Sequence, residues 1–229
     1  MARLPRLIIP FQPHYVIARG NNGQPIFHES ADYVAFLEWL RMAAKNFKVA
    51  VHAYVLLPDC VHCLVSPADA TGLGHMMQWL GRHYVPYFNR KYQRSGTLWQ
   101  GRYKASVVDV EHYLMQCSRY IESSPVRANL APTALDYPWS SHAHHGGMRQ
   151  DPLVTDHALY WSLGNTPFER EAVYGALVRQ ALAGDEIERI EQAVLKGWPL
   201  GSERYKAALQ QKMARQILPA KRGRPFKVI

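Results

Sequence analysis

Val49-Ala50-Val51-His52-Ala53-Tyr54-Val55-Leu56-Leu57-Pro58-Asp59-Cys60-Val61-His62-Cys63-Leu64-Val65 is the stretch on which the fold turns. Its first nine residues form a β-rich run, Pro58-Asp59 makes a tight break, and residues 61–65 resume as a second run, so the stretch reads as a β-hairpin. Side chains alternate across a strand, which puts Cys60, His62 and Leu64 on one face and Val61, Cys63 and Val65 on the other.

Upstream of the hairpin, residues 14–19 are strand-like and end at the turn cluster Gly20-Asn21-Asn22-Gly23. Ser30 can cap a helix that carries Tyr33, Val34, Leu37, Leu40 and Ala44 at helical spacing. Downstream, residues 73–92 carry Met76, Met77, Leu80, Tyr84 and Phe88 as a helical stripe, with Pro86 as a candidate kink. Gly96 breaks the chain before a strand at residues 103–108. Asp109 can then cap a helix over residues 110–123, which Pro125 stops.

The order is β-α-β-β-α-β-α. Its first six elements are the split βαβ arrangement, a ferredoxin-like α+β antiparallel sheet with two helices on one face. The seventh element carries Tyr120 and is free to pack elsewhere on the sheet. Residues 137–145, with His142, His144 and His145, read as an ordered loop of exposed imidazoles or as metal ligands. Helical stretches follow, clearest at residues 168–183 and 187–195. A boundary near residue 150 divides a 1–150 domain from a 151–229 helical extension with a basic tail.

The chain has 229 residues, 48% apolar and 20% charged, with 15 Gly and 15 Pro. These proportions exclude collagen-like and wholly disordered classes. No apolar run approaches the roughly 20 residues that span a bilayer, and the apolar stretch at the start is too short for a signal peptide. Cys60, Cys63 and Cys117 make no disulfide framework. The chain is expected to be cytosolic.

Charge is segregated. Eight of the 27 basic residues fall between Arg204 and Ile229, where there is no acid. Six more, among them Arg82, Arg90, Lys91, Arg102 and Lys104, fall between Ala70 and Val108, again with no acid. The remainder holds 13 basic and 18 acidic residues. Two positive zones on an acidic protein suit a polyanion, and a nucleic acid is favoured over two merely solvated faces. Lys221-Arg222-Gly223-Arg224-Pro225 is an extended element whose guanidiniums fit a narrow minor groove, or else a frayed basic terminus.

Cys60 and His62, projecting together after a turn, are either a pair of metal ligands or simply packed. They lack the second pair of a structural zinc site. Tyr120 shares a helix face with Gln116 and Ser124 and has Arg119 and Arg127 near it. It is either a half-buried aromatic or a nucleophile able to attack phosphorus. Trp99 can stack on a base or pack under its loop, and His14 faces the site or serves the core.

Motifs along the chain extend this reading. They are Arg19-Gly20-Asn21-Asn22, Leu57-Pro58-Asp59-Cys60-Val61-His62-Cys63-Leu64-Val65, Tyr87-Phe88-Asn89 and Gly96-Thr97-Leu98-Trp99-Gln100-Gly101-Arg102-Tyr103-Lys104. Arg119-Tyr120-Ile121-Glu122-Ser123-Ser124-Pro125-Val126-Arg127-Ala128, Tyr137-Pro138-Trp139-Ser140-Ser141 and the Gly-Arg-Pro tail complete the set. In this order they closely resemble the IS200-like, REP-associated tyrosine transposases of bacteria.

The resemblance implies a single-tyrosine HUH nuclease acting on single-stranded DNA beside a hairpin, as a homodimer. It implies Mg²⁺ or Mn²⁺ at the scissile phosphate and a 5′-phosphotyrosine intermediate, with no nucleotide cofactor. Tyr120 matches the nucleophile and His62 the second histidine. Cys60 stands where the first histidine is expected, and Ser124 where an Asn ligand is expected. A thiolate is a poor partner for Mg²⁺ and suits a softer ion. Arg82, Arg90, Lys91, Arg102, Lys104, Arg119 and Arg127 are expected to hold DNA, with Lys221, Arg222 and Arg224 adding duplex affinity. Two other readings stand beside the active enzyme. One is a hairpin-binding protein of the same fold without the chemistry. The other is an RNA-binding module, disfavoured because the chain lacks a Lys/Arg-Gly-Phe-type strand motif.

Overall fold

The computed structural model describes residues 6–213, 216 and 217, so Lys221, Arg222 and Arg224 lie outside the described residues. Four strands, β1 (His14–Arg19), β2 (Val49–Leu57), β3 (Cys60–Pro67) and β4 (Lys104–Val107), form one sheet in the order β2-β3-β1-β4. Neighbouring strands are antiparallel, with Tyr15 opposite Leu64, Ile17 opposite His62 and Arg19 opposite Cys60. This is the split βαβ order expected from the sequence.

Helices α1 (Ser30–Asn46) and α2 (Gly72–Lys91) cover one face. Phe36 and Leu40 of α1 and Leu73, Met76, Leu80, Tyr84 and Phe88 of α2 pack there on Val16, Val61, Cys63 and Val65. On the other face Tyr15, Ile17, Cys60 and Leu64 meet α3 (Val110–Glu122) and α8 (Gly184–Lys196). Strand alternation therefore divides residues 60–65 between two cores. A bulge between Val51 and Ala53 shifts the phase of β2: Val51 faces α1 and α2, whereas Ala53, Val55 and Leu57 face α3. His52, at the bulge, is tied down by Thr155 O at 2.7 Å and Ser66 Oγ at 2.8 Å.

Two local expectations are corrected and a third is met in position only. Glu29, not Ser30, occupies the cap position of α1. The buried Asp32 carboxylate accepts from the backbone N–H groups of His28 (2.9 Å) and Glu29 (3.2 Å), satisfying the helix start from within. Asp109 does hold the cap position of α3, but its carboxylate bonds away from the helix's own N–H groups, accepting from Ser202 N and Oγ, both at 3.1 Å. After α3, Pro125 sits inside a further short helix, α4 (Ser124–Arg127), rather than ending helical structure. Pro86, in contrast, lies within a continuous α2.

The C-terminal part adds α5 (His142–His145), α6 (Ala158–Trp161), α7 (Pro167–Arg179), α8 and α9 (Glu203–Lys212). Ile190, Ala193 and Val194 of α8 enter the same core as Tyr15 and Tyr120. Gly197 ends α8 at φ +70°, a left-handed turn that suits glycine. The chain then runs beside the β4 edge, where Leu200 N donates to Val107 O at 2.9 Å and Asp109 N to Leu200 O at 2.8 Å, covering an otherwise open edge. Among the described residues no helix is long and apolar enough to cross a membrane.

Candidate functional site

The face beneath α3 and α8 gathers the chemistry. Cys60 Sγ and His62 Nε2, two apart on β3, are 3.3 Å from each other. The other ring nitrogen of His62, Nδ1, lies 2.5 Å from the hydroxyl of Tyr15 on β1. Helix α3 brings Tyr120 onto this pair, its ring 6.4 Å from that of His62 and edge-on to Tyr15 at 6.1 Å. The Tyr120 hydroxyl donates to Glu191 Oε1 of α8 at 2.7 Å.

The Arg127 guanidinium lies 4.0 Å from the centre of the Tyr120 ring. It donates to Tyr120 O at 2.7 Å, Ser124 Oγ at 2.8 Å and Ser123 Oγ at 2.6 Å.

Burial governs the protonation states. It lowers the His62 pKa to about 3, with Arg19 and Arg127 adding repulsion, so the imidazole is neutral. Burial also pushes the Cys60 thiol well up, with Asp59 acting in the same sense. Tyr120 is raised to about 12 by burial and then by the Glu191 carboxylate, against an opposing pull from Arg127.

These residues do not fit the divalent ion that the sequence resemblance implies. Both His62 nitrogens already face protein partners, and Cys60 offers a sulfur donor, a poor match for Mg²⁺. Ser124 is turned away, its hydroxyl donating to Tyr120 O at 2.7 Å and accepting from Arg127. Among the described residues no group of three or more His, Cys, Asp or Glu side chains is placed to hold a metal ion. Positive charge at this site comes from guanidiniums.

On the α1/α2 side of the sheet, a groove of about 760 Å³ runs between α2 and the 97–103 loop. Arg6, Arg19, Arg82, Arg102, Trp99 and Gln100 are among its lining residues. The loop is fastened to the end of β1 by Asn21 N to Leu98 O (2.9 Å) and Gln100 N to Arg19 O (2.8 Å). Gly20 sits where a Cβ would lie 2.0 Å from Gln24 O, so only glycine fits that crossing. Arg19 belongs to both places, since it lines the groove and stands opposite Cys60. Trp99 packs its ring near Phe36 and Tyr84 while it walls the groove.

Of the other sequence candidates, Arg90 and Lys104 are exposed. Lys91 is held by Asp32 (2.7 Å) and Glu29 (2.5 Å) and ties α2 to α1. Arg119 donates to Leu177 O and Gln180 O at the end of α7. Lys91 and Arg119 are thus taken up by the protein's own acceptors rather than presented to a phosphate. His14 is internal, its Nδ1 2.7 Å from Gln12 O and its Nε2 accepting from Ile9 N at 3.1 Å.

The histidine loop is neither exposed nor metal-binding in form. His142 and His145 are buried and contact Glu122 of α3 at 2.9 and 2.7 Å. Tyr174 of α7 donates to the same carboxylate at 2.8 Å, as does Ser141. Burial alone would raise the Glu122 carboxyl; attraction to His145 and His142 holds it far below the usual range instead. Sequence reasoning missed Tyr15, Glu122 and Glu191. Strand alternation in β1 marks Tyr15 once the register is known, whereas nothing local marks the other two.

Residues 11–124 match the model of the family described as "Transposase IS200 like". A solved structure of a REP-associated tyrosine transposase bound to a REP hairpin is similar in fold, with a TM-score of 0.50 at 16% identity over 69% of this chain and 93% of that one. A candidate transposase from Deinococcus radiodurans R1 aligns more loosely, with a TM-score of 0.36 at 23% identity over 54% of this chain and 97% of that one. No curated protein matches the sequence. Through its residues 11–124, which include β1, the β2–β3 hairpin and Tyr120, the chain belongs to the IS200-like transposase family.

Proposed function

We propose that this transposase-family protein binds single-stranded DNA beside a hairpin and exchanges strands on it through Tyr120. One observation carries the reading: α3 places Tyr120 against His62 of β3 and beneath Arg127, next to strand β1, whose last residue, Arg19, also lines the arginine-rich groove. The similar solved transposase is bound to a REP hairpin, and basic side chains beside Trp99 suit a sugar–phosphate backbone with unstacked bases.

In the proposed step, Tyr120 Oη bonds to phosphorus as the bond to the 3′-oxygen breaks. The phenol loses its proton and the departing 3′-oxygen gains one. The products are a 5′-phosphotyrosine and a free 3′-hydroxyl, and rejoining reverses the exchange without a nucleotide cofactor. Arg127 and Arg19 supply positive charge near the phosphate. Arg82, Arg90, Arg102 and Lys104 hold the strand, and the protein acts as a homodimer.

The test is an SDS-resistant adduct assay with labelled hairpin DNA drawn from sequence flanking the gene, with and without Mg²⁺ or Mn²⁺. An adduct that vanishes in Tyr120→Phe is the expected result. An adduct that persists in that variant overturns the assignment of Tyr120.

A second reading, a hairpin-binding protein without the chemistry, is favoured by the donor set: Cys60 is a buried thiol and Ser124 is turned away. Tight, salt-sensitive binding with no adduct, restored by Cys60→His with Ser124→Asn, selects it.

A further inference from the structure

Glu191 reaches Tyr120 from outside the family match, which ends at residue 124. Its helix is anchored by Ile190, Ala193 and Val194, all buried in the core that also holds Tyr15 and Tyr120. Elsewhere on that helix the polar side chains pair internally, Asp185 with Arg189 and Glu188 with Gln192. Glu191 instead crosses to α3.

We infer that α8 is a latch on the candidate nucleophile: the Glu191 carboxylate stands beside Tyr120 Oη where a DNA phosphodiester must enter, and DNA gains the hydroxyl only by displacing it. The inference rests on the reading of Tyr120 as nucleophile and specifies how that site is regulated.

Three physical points support it. A reacting phosphorus has to come within about 3–3.5 Å of the attacking oxygen, and a carboxylate oxygen already occupies that shell at 2.7 Å. Both groups are anions, so a phosphodiester and Glu191 repel each other at this spacing. The contact is also breakable. Glu191 is exposed, while the apolar anchors of α8 are not, so the side chain can swing aside with its helix still packed. A phosphate offers the same kind of charge-assisted hydrogen bond and can compete for it.

The test uses the full chain and three proteins: wild type, Glu191→Ala and, as a charge-removal control on the same helix, Glu188→Ala. Tyr120 acetylation by N-acetylimidazole, mapped by mass spectrometry, reports access without any DNA. The expected result is roughly a ten-fold or greater rise in Tyr120 labelling for Glu191→Ala, the scale of one lost charged hydrogen bond, and none for Glu188→Ala. Hairpin affinity and adduct yield are expected to rise in the same variant even though loss of the Tyr120 hydrogen bond lowers the thermal midpoint slightly.

Equal Tyr120 labelling in wild type and Glu191→Ala overturns the latch, whatever the DNA result. Raised labelling without adduct in either protein sustains the latch and counts against strand transfer by Tyr120 instead.

Discussion

Between the sheet and helices α1 and α2 lies an aromatic and aliphatic core. Phe27, Phe36, Tyr84 and Phe88 meet there edge-on or tilted, at 4.9–6.0 Å between ring centres. The opposite face, under α3 and α8, buries two thiols, an imidazole and three phenols among its apolar side chains. The first face gains from removing apolar area from water. The second must satisfy every polar group it buries or lose stability, and it does so through Tyr15 on His62 and Glu191 on Tyr120. The contrast teaches where function is kept: the fold is secured on one side, which leaves the other free to hold groups chosen for chemistry.

The largest expected effect tests the apolar face. Phe36→Ala should lower unfolding free energy by about 3–5 kcal/mol in a denaturant titration. Tyr15→Phe, on the other face, should cost only about 1 kcal/mol, the net value of one hydrogen bond. Equal losses would erase the distinction between the faces.

A pH titration of stability reaches the buried polar groups next. Burial lowers the pKa of His14 and of His52 from 6.5 to about 4. Both stay neutral in the folded protein while the unfolded chain takes up protons below pH 6.5. Their contribution is therefore complete above 6.5 and is lost as pH falls toward 4, up to about 3 kcal/mol each. Asp32, held to about 2 because Lys91, Tyr92 and two backbone N–H groups outweigh its burial, continues the loss from about pH 3.8 downward. A flat stability profile between pH 6.5 and 4 would show that these histidines are not buried as described.

The smallest effect sharpens the assignment of the groove. A Cβ at Gly81 has room, its nearest neighbour being Trp99 Nε1 at 3.8 Å. Gly81→Leu should keep or slightly raise helix stability, by up to about 1 kcal/mol, while filling the groove and weakening hairpin binding about ten-fold by electrophoretic mobility shift. Unchanged affinity would place the DNA elsewhere.

Much of the fold is legible in local sequence. The hairpin around Pro58-Asp59, the alternation through Cys60–Val65 and the stripe on α2 depend on neighbours a few residues apart, and strand and helix periods record those directly. The site is legible in part. Cys60 and His62 share a face because a strand repeats every two residues, and Tyr120 follows from the motif around it. Charge patterning was a weaker guide, because Lys91 and Arg119 are claimed by Asp32 and by the end of α7, partners 58 to 61 residues distant.

What tertiary structure alone decided are the contacts between segments far apart in the chain. The register that sets Tyr15 beside His62, the burial that draws His142 and His145 onto Glu122, and the reach of Glu191 to Tyr120 across 71 residues are of this kind. A sequence specifies which face of an element is apolar, but the partner of a polar side chain is settled only when two such faces pack and each buried donor must find an acceptor.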